Sequence, residues 1–146
     1  MFKPRYLFLF FILLTLTLSA CSSSHGELEK ETSPTFSSHG QTMIGQENKI
    51  GFIYGEDIPL IAGEEQKYMW HLWGEPEELE GKFEVIGTNE ETGKRVNVFE
   101  TEKLGGPNNG ADAHAPSSFS LPSSGIWELE AHVGNERFET LVVEVK

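Results

Sequence analysis

Residues Trp127 to Val133, WELEAHV, alternate apolar with charged or polar side chains without a slip. Successive side chains of a strand point to opposite faces. Trp127, Leu129, Ala131 and Val133 therefore share one face, and Glu128, Glu130 and His132 share the other. A helix would scatter these residues around its axis, so the period calls for a strand with one dry and one wet side. From Gln41 onward no stretch keeps a 3.6-residue apolar period for three turns.

Shorter runs repeat the pattern. KIGFIY (49–54) turns Ile50, Phe52 and Tyr54 inward, and KFEVIGT (82–88) turns in Phe83 and Val85. KRVNVFETE (94–102) offers Val96 and Val98, which leaves Phe99, like Ile86, on an outer face. SFSLP (118–122) offers Phe119 and Leu121. RFETLVVEVK closes the chain with Leu141, Val143 and Val145 inward; Phe138 is out of phase, which predicts a bulge near Glu139 or Thr140. NEETG (89–93) and GNE (134–136) read as hairpin turns, because Gly and Asn accept positive φ. Strands at a spacing of roughly ten residues predict an all-β, antiparallel β-sandwich over residues 41–146.

The run KYMWHLWG (67–74) breaks the one-sided rule. Tyr68, Trp70 and Leu72 supply one face, and Met69, His71 and Trp73 make the other apolar too. Either another segment covers that second face, with EPEELEG (75–81) and the chain before Lys49 as candidates, or the face binds something. With Phe99 and Ile86 on neighbouring outer faces it would form an apolar patch of the kind that marks interaction sites.

The N-terminus sets the compartment. Lys3 and Arg5 precede an apolar stretch, Tyr6 to Leu18. As a helix it would reach roughly 20 Å, short of the ~30 Å hydrocarbon core, which fits a secretory signal over residues 1–20. The next residues, Leu18-Ser19-Ala20-Cys21, resemble the lipobox of bacterial lipoproteins. The resemblance implies a diacylglyceryl thioether on Cys21, cleavage before it, and attachment of the mature chain to the outer side of the cell membrane through the lipid bilayer. Cys21 is the only cysteine, so the exported part has no internal disulfide and no thiolate metal site.

Residues 21–40 are rich in Ser, Gly, Pro and charge, and read as a flexible tether with a span of roughly 25 Å. Loss of Lys3 and Arg5 with the leader leaves 9 basic against 23 acidic residues, a net charge of −14. Such a surface repels nucleic acid and anionic lipid headgroups.

LPSSGIWELEAHV (121–133) resembles the corner and penultimate strand of immunoglobulin-like domains; with Trp70 in an early central strand, the layout looks like an immunoglobulin-like fold without the disulfide. From LSAC to the closing VVEV the chain is similar to small bacillus-type lipoproteins of unknown function that carry such a domain. The resemblance brings no catalytic residues.

Chemical motifs are sparse. ETGKR (91–95) holds a Gly-Lys pair, but Gly87 is one residue too far away for a P-loop and Arg95 replaces its hydroxyl. No HExxH, GxSxG or EF-hand string is present, and no cofactor is implied. Asp112 and His114, in ADAHA, would share a strand face; with His71 or His132 they would form a metal site. The segment LGGPNNGADAHAPSS (104–118) is long for a connection, which points to function. Some immunoglobulin-like protease inhibitors present Gly-rich loops in this style. The expectation is thus a non-catalytic domain that binds an unknown protein or small-molecule ligand. Its candidate residues are Met69, His71, Trp73 and Phe99 on the patch, and Asn108, Asn109, Asp112 and His114 on the loop. Metal binding and protease inhibition are the alternatives.

Overall fold

The computed structural model describes residues 30–55 and 57–146. The signal segment, Cys21 and the first part of the expected tether lie outside the described residues. Nine strands are described: β1 (Thr35–Ser38), β2 (Gln41–Gln46), β3 (Ile50–Ile53), β4 (Gln66–Leu72), β5 (Phe83–Asn89), β6 (Arg95–Thr101), β7 (Ala113–Phe119), β8 (Gly125–Val133) and β9 (Glu136–Val145). One turn of 3-10 helix, Pro76–Leu79, follows β4. The strands form two antiparallel sheets, in the orders β1-β2-β3-β4-β7 and β6-β5-β8-β9. Their inner faces pack together as a sandwich.

The expected inward faces supply the core. Ile44, Phe52, Trp70 and Ala115 align across four strands of the larger sheet. Trp127, Leu129, Ala131 and Val133 of β8 are buried, while Glu128, Glu130 and His132 are half-buried on the outside. Trp70 bridges the layers, its ring centroid 5.7 Å from that of Phe83. On β7 the inward residues next to β4 are small: Ala113 faces Leu72, Ala115 faces Trp70, and Ser117 faces Tyr68. The large β4 side chains occupy the volume that β7 leaves free.

A buried indole needs an acceptor for its N–H. Trp70 Nε1 donates to Ser117 Oγ at 3.0 Å, and Ser117 donates onward to Tyr68 O at 3.0 Å. Trp127 Nε1 donates to Ser123 O at 2.9 Å. The free edge of β9 is capped as well: Ser33 exchanges hydrogen bonds with Val142, and Leu60 pairs with Val145. An uncapped edge strand would be a template for aggregation.

Both expected hairpins form. Asn89 Oδ1 accepts from the amides of Glu91 and Thr92, which fixes the β5–β6 turn. Only Gly134 has a positive φ, 63°, in the two-residue β8–β9 turn, the pattern of a type II′ turn. The bulge in β9 leaves Phe138 as the extra residue, because Ala131 pairs with Glu139 and His132 with Arg137. The sequence put it one or two residues later.

Three expectations are corrected. Phe99 does not lie on an outer face. Val85 pairs with Phe99 but Ile86 pairs with Asn97, so Val98 is an extra residue in β6. That bulge flips the strand's phase and turns Phe99 toward Phe83, at 6.2 Å between centroids. The folded part starts before Gln41: Thr35–Ser38, read as tether, is β1, because Phe36 finds a partner that local composition does not reveal. The run 104–118 is not one loop, since its second half is β7.

Replacing Ser117 with Ala removes the acceptor of Trp70 and leaves a buried N–H unpaired. We expect a loss of about 1–3 kcal/mol in urea-unfolding free energy. An unchanged midpoint would show that the indole finds another partner.

Candidate functional site

Strand β4 is buried on its inner face and, at His71, on its second face as well, where Met69 is half-buried and Lys67 exposed. Its second face, with Met69 and His71, is met by β1 and by the turn before β7. Gly51 of β3 lies opposite His71 and has no side chain. The Phe36 ring fills that space; a Cβ on Gly51 would come within 2.8 Å of it. Phe36 also stands edge-on to Trp73, with centroids 5.9 Å apart at 66°.

The chain from Gly105 to His114 is a small hairpin. Gly105 and His114 exchange backbone hydrogen bonds of 2.7 and 3.2 Å, and Asn108 and Ala111 exchange bonds of 3.1 and 2.9 Å. Asn109 and Gly110 form its tip, with φ of 47° and 82°. Two successive positive φ values are the mark of a type I′ turn, for which Asn-Gly is the preferred pair. His114 Nδ1 lies 2.6 Å from Gly106 O.

That tip is fastened over the second face of β4. Trp73 Nε1 donates to Gly110 O at 2.8 Å. Ser38 Oγ donates to Asn109 O at 2.8 Å. Asn109 Nδ2 donates to His71 Nε2 at 3.0 Å, while His71 Nδ1 donates to Met69 O at 3.1 Å. This pairing assigns the proton to Nδ1 and leaves Nε2 as the acceptor. His71 is fully buried. Burial lowers its pKa below the usual 6.5; the Met69 bond opposes this and the neighbouring His114 adds to it.

Beside this layer lies a groove of about 750 Å³. Trp73, Pro76, Leu79 and Leu104 give it apolar walls, and Lys49, Glu75, Glu78 and Asp112 give it charge. Asp112 Oδ2 accepts from Gly74 N at 3.1 Å, which holds the strand exit after Trp73. Glu78 accepts from Glu75 N at 3.0 Å and pairs with Lys49 at 3.2 Å. The bond to the Glu75 amide and the pairing with Lys49 hold the Glu78 pKa below the ordinary carboxylate value.

The structure brings together most of the residues singled out from the sequence. Trp73 and Asp112 line the groove, and His71, Asn108, Asn109 and His114 form or anchor the covering hairpin. Met69 is half-buried beside them. Phe99 belongs to the opposite sheet and takes no part. His132 sits on the outer face of that same opposite sheet, so it cannot meet Asp112 or His114. Among the described residues, His, Cys, Asp and Glu nowhere gather in threes as a metal site would require. Phe36, Ser38, Lys49, Glu75 and Glu78 escaped the sequence reading. The dipeptide Asn109-Gly110 was a visible signal for a tight turn; Phe36 had none, since its partners are remote in the chain.

Comparison with known proteins fits this architecture. Residues 23–143 match the family described as "Domain of unknown function (DUF4871)". The chain belongs to this family. It is also similar to the crystal structure of a candidate lipoprotein from Bacillus anthracis, at 25% identity and a TM-score of 0.62, covering 80% of this chain and 86% of that one. No curated protein matches the chain. The family description carries no activity, so the groove and its covering hairpin are the guides to function.

Asn109→Gly keeps the positive φ and deletes only the side chain. We expect about 1 kcal/mol of destabilisation and faster amide exchange at Asn108 and Ala111; unchanged exchange would show that the His71 bond does not hold the hairpin. Acid should act through the same ring. Between the lowered folded pKa of His71 and the usual 6.5, the unfolded chain binds a proton that the folded chain does not. The stability tied to His71 is complete above about pH 6.5 and falls as pH drops toward the lowered value. His71→Gln should therefore flatten the pH dependence of the urea midpoint between about pH 7 and 5. Parallel profiles for variant and wild type would rule this out.

Proposed function

We propose that this protein is a lipid-anchored binding protein of the cell surface, in which an immunoglobulin-like sandwich carries a groove at the end opposite its anchor. Direction along the strands supports the placement. β4 runs toward the groove and ends at Leu72, just before Trp73; β5 runs back in the facing sheet to the Asn89 turn. Lys30, where the described chain begins, pairs with Glu90 and Glu128 beside that turn. Seven residues of β5 separate the two ends, a distance of roughly 20 Å. Only nine residue steps lead from Cys21 to Lys30, at most about 30 Å of chain. An anchor at Cys21 would therefore attach the domain from its Asn89 end, opposite the groove.

The strand order supports the immunoglobulin-like reading. Without the β1–β2 hairpin, β3-β4-β7 faces β6-β5-β8-β9, the two-sheet arrangement of such domains with β6 kept beside β5. Binding in preference to catalysis rests on where the polar atoms of the site are spent. A general base needs a lone pair within reach of its substrate. The lone pair of the buried His71 ring is taken by Asn109, so that ring has none to offer a substrate. The candidate lipoprotein from Bacillus anthracis, similar over most of its length, supports the anchored setting.

Labelled palmitate fed to cells should appear in the wild-type protein and be absent from Cys21→Ala, which should accumulate as the larger precursor. Equal labelling, or normal processing of the variant, would remove the anchor from this reading.

A further inference from the structure

We propose that the groove between Trp73 and Leu104 takes an organic cation, an ammonium or guanidinium group on an apolar stem. The inference rests on the reading of the groove as a binding site and assigns its ligand chemistry. It follows from which polar groups in the groove are already spent.

Most of the groove's donors are engaged, the neutral Asn48 side-chain amide and Gly106 N–H being the exceptions. Trp73 gives its indole N–H to Gly110 O, so the ring offers the groove carbon and π surface only. Lys49 is held twice, by Glu78 at 3.2 Å and over the Phe138 ring at 4.0 Å. The amide of Gly74 is used by Asp112, that of Glu75 by Glu78, and that of Gly105 by His114 O. The amide of Asp112 goes to Leu72 O. An anionic ligand would find its one cation already paired with a carboxylate.

Acceptors remain in surplus. Glu75, Glu78 and Asp112 set three negative charges against the single positive charge of Lys49. Asp112 Oδ1 has no bond to the chain among the described residues, where only Oδ2 is used. The mature chain as a whole is strongly acidic, which raises the local concentration of cations and steers them inward. An aromatic wall beside carboxylates is the arrangement that holds alkylammonium and guanidinium groups, through the ring quadrupole and charge-assisted hydrogen bonds. Pro76, Leu79 and Leu104 would line the stem.

Two sources carry this chemistry: a free amine, or a lysine or arginine side chain of a basic polypeptide. The chain has three tryptophans, and two, Trp70 and Trp127, are fully buried. Indole ¹⁵N labelling of the full-length protein in nonionic detergent therefore gives three signals, of which Trp73 alone borders the groove; Trp73→Phe assigns it. The probes are benzylammonium, benzyl alcohol and benzoate, together with a pentapeptide holding a central lysine between two leucines and its norleucine counterpart. We expect benzylammonium or the lysine peptide to shift the Trp73 signal saturably, with the neutral and anionic probes inert. Asp112→Asn with Glu75→Gln keeps an acceptor for the Gly74 amide and removes two charges. It should weaken the cation by roughly tenfold or more. Tighter binding of the lysine peptide than of benzylammonium by at least tenfold would name the polypeptide as the source; equal affinity would name the free amine. If benzoate or benzyl alcohol shifts Trp73 as well as benzylammonium does, the cation inference fails and the groove remains a binding site. If no probe moves the signal at millimolar concentration, both fail.

Discussion

Strand β4 is apolar on both faces, and the rest of the molecule is arranged around covering it. Tyr68, Trp70 and Leu72 drive the larger sheet onto the smaller one, where Phe83 receives Trp70. A two-layer sandwich satisfies only that side. Met69 and His71 on the other side would leave an apolar, partly polar strip in water, with a free energy cost that grows with exposed area. The β1–β2 hairpin and the Asn109–Gly110 turn cover much of it; Gly51 leaves the room that Phe36 of β1 takes, and hydrogen bonds from Ser38 and Trp73 fasten the turn. The groove lies where this outer layer stops, at the end of β4.

The outer layer differs from the core in how it is held. The core is large aromatic area with few polar atoms, and its polar groups close on one another, as Trp70, Ser117 and Tyr68 do. The outer layer is small and depends on a few directed hydrogen bonds between one turn and His71, Trp73 and Ser38. Bonds of this kind contribute on the order of 1 kcal/mol each, so a segment fastened by three of them opens more readily than a packed strand. The groove at its margin therefore sits beside a segment that opens more readily than the core strands.

Legibility followed distance along the chain. Alternation in β8 and in the inward face of β4 was plain, since each depends on neighbours two residues apart. The β9 bulge was legible because Phe138 breaks phase with Leu141 within one strand. The β6 bulge was hidden: Val96, Val98 and Phe99 are all apolar, and only pairing with β5 decides that Val98 is the extra residue. β7 carries little strand signal of its own, because Ala, Pro and Ser have weak strand preference. Those small side chains are there because Tyr68, Trp70 and Leu72 already fill the space beside them.

The sequence by itself determined the two-sided character of β4, the alternating strands and the lipobox-like start, because each is a pattern of adjacent side chains. It also carried Trp73, Asp112, Asn109 and His71 as residues worth notice. Tertiary structure alone decided that Phe36 crosses to Gly51, that Asn109 meets His71, and that Phe99 turns inward. Those outcomes depend on register between strands far apart in the chain, where shifting by one residue moves a side chain to the opposite face.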